Sequence, residues 1–175
     1  MGHPQDKPTS SGTPSAFREQ QNNHHIPCGR PRNHEDPIPP TLLHPVFNQF
    51  LYDCQTDIEI DGVDDKAFAD DLVGIMADLY EKEVDRNNAL QEAFDHHKLH
   101  FASTNVDRTK FCTDGEIQIY GHRYVIIEIK NEVAVASAEP YFQAIQYYVE
   151  HTRVRATKYR SSLPCFLVCI TGECS

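Results

Sequence analysis

The chain is short of basic residues, of long apolar runs and, past residue 40, of proline. Sixteen Lys and Arg stand against 26 Asp and Glu in 175 residues, a formal net charge of -10, so charge alone implies no general attraction to nucleic acid or to an anionic membrane. No stretch approaches the roughly 20 apolar residues of a membrane helix, and the N-terminus carries no apolar segment of the signal-peptide kind. The expectation is an intracellular protein, cytoplasmic or nuclear, with no membrane partner. The six cysteines (Cys28, Cys54, Cys112, Cys165, Cys169, Cys174) lack the short paired spacings of structural zinc sites, and without a secretory signal they read as reduced thiols rather than a disulfide framework. A glycine-rich phosphate loop, a His-Arg-Asp catalytic loop and an Asp-Phe-Gly triplet are also missing, which excludes a protein kinase active site in this chain.

The acid is unevenly spread. Residues 1–40 hold four basic and four acidic groups, residues 41–110 six and fifteen, and residues 111–175 six and seven. A polyanion would therefore have to meet the C-terminal third. Eight of the eleven prolines and a single aromatic, Phe17, fall in residues 1–40, a composition that cannot bury enough apolar surface to offset its ordering entropy and predicts a disordered tail. Residues 41–65 then supply an apolar covering segment, "LLHPVFNQFLYDC", and an acidic loop.

The core is expected over residues 66–175. Asp64 or Asp65 can cap a helix in which Phe68, Leu72, Ile75, Met76 and Leu79 recur at helical spacing, running on to Leu90 and Phe94 with a break near Asn87 and Asn88. A weak strand is expected near residues 99–110. The alternating "TDGEIQIY" and the returning "RYVIIEIKNE", joined through Gly121, predict a hairpin. Then "AEPYFQAIQYYVEHTR" starts a helix at a proline, and "LPCFLVCIT" reads as a buried strand. This order gives a layered α/β fold.

One strand carries the chemistry. Val125, Ile126, Ile127 and Ile129 form a β-branched run without alternation, as in a strand covered on both faces, yet Glu128 and Lys130 interrupt it. Buried charges of this kind cost several kcal/mol each unless paired, hydrogen-bonded or bound to a metal. Glu128 and Lys130 share a face because strand side chains alternate, and the hairpin can bring Asp114 alongside. Hard oxygen ligands of this type suit magnesium or manganese. The opposing reading is a structural ion pair beside a turn. Glu116, on the face of Asp114, is either a further ligand or an ordinary solvated residue.

Asp114-Gly115 followed by Glu128-Ile129-Lys130 on a buried strand resembles the signature of the PD-(D/E)XK, or restriction-endonuclease-like, nuclease superfamily, and Gln143 to Tyr147 is similar to the Gln-x-x-x-Tyr motif of its RecB-like branch. The resemblance covers residues 66–171 and implies a core of helix, three-stranded meander, helix and strand. It implies that Asp114, Glu128 and the backbone carbonyl of Ile129 bind Mg2+ or Mn2+, with Glu81 or Glu83 adding a carboxylate. Lys130 would orient or help deprotonate the attacking water, Gln143 would position water or phosphate, and Tyr147 lies one turn further along. Thr113 stands where the family name has proline. The implied activity is metal-dependent hydrolysis of DNA, with RNA as the second substrate class. Arg153, Arg155, Lys158 and Arg160 would contact substrate phosphates, or else form a solvated helix end. The stretches "EIKNE", "EPYFQAIQYYVEH" and "LPCFLVCITG" also resemble a segment that precedes the kinase-like domain of fungal-type kinase proteins. That likeness implies a catalytically inactive, regulatory or protein-interaction module as the alternative, with an attached kinase-like domain as partner.

Overall fold

Proline sets where most of the helices begin. The computed structural model describes residues 7–26, 28, 39–56, 62–106, 111–130, 138–158 and 164–172. In chain order its elements are α1 (Pro8–Ser11), α2 (Pro14–Asn23), a 3-10 turn at Pro40–Leu42, α3 (Pro45–Gln55), α4 (Val63–Ala77), α5 (Glu83–His96), β1 (Gly115–Ile119), β2 (His122–Lys130), α6 (Pro140–Lys158) and β3 (Phe166–Thr171). α1, α2, α3 and α6 each open on a proline, whose missing N–H costs nothing at the first helical position. Among the described residues no helix is long and apolar enough to cross a membrane.

The sheet is three-stranded and mixed, in the order β1-β2-β3. β2 pairs antiparallel with β1 through a two-residue turn and parallel with β3 through the α6 crossover. The two faces of β2 feed two cores. Ile127 and Ile129 pack with Leu90 and Phe101 beneath α4 and α5, whereas Ile126 packs with Val106 and Tyr147 beneath α6. Residues 126–130 are all buried, as the β-branched run demands, so the acid and base of this strand lie inside the α6-facing layer.

Three expectations need correction. The tail expected to lack structure instead carries α1 and α2: Phe17 is buried and stacks on Phe142 with ring centroids 4.2 Å apart, and Gln146 donates to Gln20. One aromatic suffices because α6 offers a complementary ring. Phe17→Ala is therefore expected to lower stability by about 3 kcal/mol; urea denaturation checks it, and an unchanged midpoint would mean that α2 does not dock. The helix break falls at residues 78–82 instead of at Asn87 and Asn88, because buried Arg86 donates to the carbonyls of Met76 and Asp78 and so ties α5 to the end of α4. Leu79, beyond that end, is exposed. Of the anticipated strand near 99–110, residues 107–110 lie outside the described residues and residues 99–106 make only isolated bridges, Ala102 with Glu116 and Asn105 with Cys112, so among the described residues the expected meander is a hairpin flanked by an irregular segment.

Candidate functional site

The hairpin turn and a bulge together aim the site. Tyr120 and Gly121 both adopt positive φ, 51° and 72°, which is the two-residue turn whose twist matches the flanking strands. From there Ile119 pairs with His122 and Gln118 with Arg123, but Ile117 pairs with Val125, leaving Tyr124 as an extra residue on β2. Past this bulge Gly115 faces Ile127, and Asp114, the residue just before β1, lies alongside the end of β2, where its carboxylate accepts the Ile129 N–H. Without the extra residue Asp114 would stand on the other face of the sheet, since a one-residue slip exchanges the faces. Gly115 itself is obligatory: a Cβ there would come within 2.2 Å of the Phe101 ring.

Asp114, Glu128 and Lys130 do meet. The Lys130 Nζ sits 2.9 Å from Glu128 Oε1, 3.3 Å from Glu83 Oε1 and 3.8 Å from Asp114 Oδ2, and it donates to the Ile129 carbonyl at 3.0 Å. Of the two acids put forward from the first helices, Glu83 at the start of α5 makes this contact, while Glu81 lies before the helix and is exposed. Asp114 also has a structural duty, because its Oδ2 accepts the Ile129 N–H at 2.8 Å and so pins the start of β1 to the end of β2.

Glu128 is wholly buried. Burial and the neighbouring Asp114 push its carboxyl up to about 8, against the pull of Lys130. Neither of its oxygens has a hydrogen-bond partner, so the contact with Lys130 is an electrostatic approach off the hydrogen-bond direction. The Lys130 ammonium loses solvation on burial, but Glu128, Asp114 and Glu83 more than compensate and raise it above the usual lysine range. Gln143 and Tyr147 occupy one face of α6 a turn apart and are both buried. Burial and the Glu128 charge lift the Tyr147 hydroxyl to about 12, opposed by a hydrogen bond with Gln143. The Gln143 Oε1 is left buried without a donor.

A second charged cluster, which sequence reasoning missed, lies further along the same face. Glu116 is neither a solvated residue nor a member of the Lys130 cluster: its Oε2 accepts from Arg123 Nε at 2.7 Å, its Oε1 accepts from Gln118, and His151 Nε2 approaches at 3.5 Å. Burial would raise its carboxyl, but hydrogen bonds, that of Arg123 among them, hold it below the usual range. Only part of the signal was in the sequence: His151 is four residues past Tyr147 on α6, but Arg123 pairs with Gln118 and reaches Glu116 diagonally through the bulged register. Arg123→Ala would strand Glu116, 3% exposed, as an unpaired buried charge. A loss of about 3 kcal/mol is expected, read by chemical denaturation, with Arg123→Ala/Glu116→Gln recovering part of it.

The donor set around Lys130 suits a hard divalent cation that keeps several waters: the carboxylates of Asp114 and Glu128, the latter with both oxygens undonated, and one backbone carbonyl. Among the described residues no three His, Cys, Asp or Glu side chains are already arranged to hold a metal ion, and the oxygens of Asp114, Glu128 and Glu83 surround an ammonium instead. Of the four basic residues put forward at the α6 end, Arg153 stands apart from this cluster. Arg153 is exposed and donates to Glu150 at 3.0 Å, and ten residues of helix place it roughly 15 Å along the axis from Gln143. Arg155 and Lys158 lie in α6 with side chains outside the described residues, and Arg160 lies outside them altogether. Among the thiols, Cys165 is pushed up by burial, with Glu116 adding to it, to about 12, which keeps it protonated and unsuited to nucleophilic or metal chemistry.

No family model, no curated protein and no solved structure matches the chain. The functional reading thus stands on the site itself.

Proposed function

We propose that the chain is a magnesium-dependent phosphodiester hydrolase of the PD-(D/E)XK kind, acting on DNA or, as the second substrate class, on RNA. The observation that carries this reading is the approach of Asp114, Glu128 and the Ile129 carbonyl, each to within 4 Å of the Lys130 ammonium, at the end of the β1–β2 hairpin. Magnesium or manganese, when bound there, supplies a Lewis acid that lowers the pKa of water and polarises a phosphoryl oxygen. Asp114, Glu128 and the Ile129 carbonyl would hold the ion, with Glu83 adding negative charge beside it. Lys130 offsets the charge that develops on the phosphate as water attacks in line. Gln143 Oε1, buried without a donor, orients water or accepts from it. Tyr147, protonated at every physiological pH, offers packing and a hydroxyl donor rather than a base.

The test is calorimetric titration of magnesium and manganese into the chain, paired with cleavage of labelled single- and double-stranded DNA and RNA. Binding with metal-dependent cutting supports the reading. A folded chain that binds neither ion and cuts nothing removes it.

The alternative, a catalytically inactive module that regulates or binds another protein such as an attached kinase-like domain, has one observation in its favour. The carboxylates already have a cation of their own in Lys130, so the cluster is self-sufficient as a structural ion network.

A further inference from the structure

We propose that the Lys130 ammonium is an exchangeable internal cation, which holds the oxygen cage shut until a divalent ion displaces it toward the substrate side. This inference rests on the metal-dependent reading above. Four oxygens from four residues surround Nζ: Glu128 Oε1 at 2.9 Å, the Ile129 carbonyl at 3.0 Å, Glu83 Oε1 at 3.3 Å and Asp114 Oδ2 at 3.8 Å. Three of these are the groups that would ligate the metal, so the ammonium and the ion compete for one space. Two cations of charges one and two cannot share a buried cage of this size, since their repulsion is only weakly screened there.

The present arrangement is also imperfect for an ammonium. Both Glu128 oxygens lack a hydrogen-bond partner although the residue is 0% exposed, and the Gln143 Oε1, on the helix that covers this face of β2, is buried without a donor. Two buried Glu128 oxygens without a donor, one of them only 2.9 Å from the ammonium, are what a hydrated ion satisfies and a single ammonium does not. Lys130 itself has a flexible four-carbon stem and can leave without moving the backbone. The exchange therefore places the positive group beside the scissile phosphate only when metal is present, which couples metal loading to assembly of the catalytic set.

Magnesium titration of the full chain against Lys130→Met, a variant of similar length without charge, tests the exchange. The variant is expected to bind magnesium about tenfold or more tightly than the natural chain, because no resident cation must be expelled. Affinity equal to or weaker than that of a natural chain that does bind overturns the exchange and leaves the metal site standing. Binding by Lys130→Met alone overturns both the exchange and the enzyme reading, since in the natural chain no ion would displace the ammonium. Binding by neither overturns both. Should Lys130→Met fail to fold by circular dichroism, the natural chain still decides: acylation of Lys130 by an amine-reactive ester, read by mass spectrometry, is expected to rise several-fold on saturation with magnesium. Unchanged acylation with the ion bound overturns the proposal.

Discussion

Glu128→Ala is expected to abolish magnesium binding and to lower metal-dependent cleavage of DNA by about a thousandfold or more. The size of the effect follows from position. Glu128 is 0% exposed, its two oxygens have no hydrogen-bond partner, and the Lys130 ammonium it meets at 2.9 Å also lies 3.8 Å from Asp114. No other described carboxylate sits both in the sheet and between Asp114 and Lys130, so no neighbour can take over. Truncation alone leaves a cavity beside Ile126 and Tyr147, so the isosteric Glu128→Gln is the sharper variant. It retains volume and removes the charge. The same loss of cutting is expected with little change in metal-free stability, because the amide need not be ionised in a buried place. Cleavage by Glu128→Gln at the natural rate would transfer the chemistry elsewhere in the chain and sink the assignment.

The parts of this site that the sequence made legible are those governed by short-range rules. Alternation along β2 puts Glu128 and Lys130 on one face irrespective of anything else in the molecule, and the unbroken β-branched run announces that both faces are covered. The turn at Gly121 follows from its positive φ. What could not be read is what depends on registry or on a distant partner. An extra residue at Tyr124 decides whether Asp114 meets Glu128, and nothing in "HRYVI" advertises a bulge. Residues 8–23 form helices because Phe17 finds Phe142, more than a hundred positions away, and because prolines there begin helices rather than interrupt them. The choice of Glu83 over Glu81 turns on a helix break fixed by the Arg86 hydrogen bonds. The Glu116 network was misjudged for a related reason. A strand pattern says which face a side chain is on, and only the α6 docking says that this stretch of the face is sealed by His151.

Magnesium affinity should rise by about tenfold per pH unit between pH 5 and pH 8 and level off above that. The sign follows from the direction in which the Glu128 carboxyl is moved. It is raised from the ordinary glutamate value of 4.5 to about 8 by burial and by Asp114, with Lys130 returning only part of that cost. A ligand must be deprotonated to hold the ion, so below pH 8 each ion bound expels a proton, and calorimetry in buffers of different ionisation enthalpy should count about one. The same shift has an opposite consequence for the metal-free fold. A carboxyl whose pKa is higher in the folded chain than in the unfolded one contributes its full stability below pH 4.5 and has lost it once the pH passes about 8, a decline of roughly 1.4 kcal/mol per pH unit at most. Lys130 stays charged across that window and does not alter the trend. Urea denaturation from pH 5 to pH 9 should therefore show stability falling without magnesium and holding with it, and Glu128→Gln should flatten both profiles. Flat profiles both with and without the ion would mean that Glu128 is ionised by its protein neighbours alone. Its burial would then be the work of a structural ion network, and the search for function would move from catalysis to a protein partner.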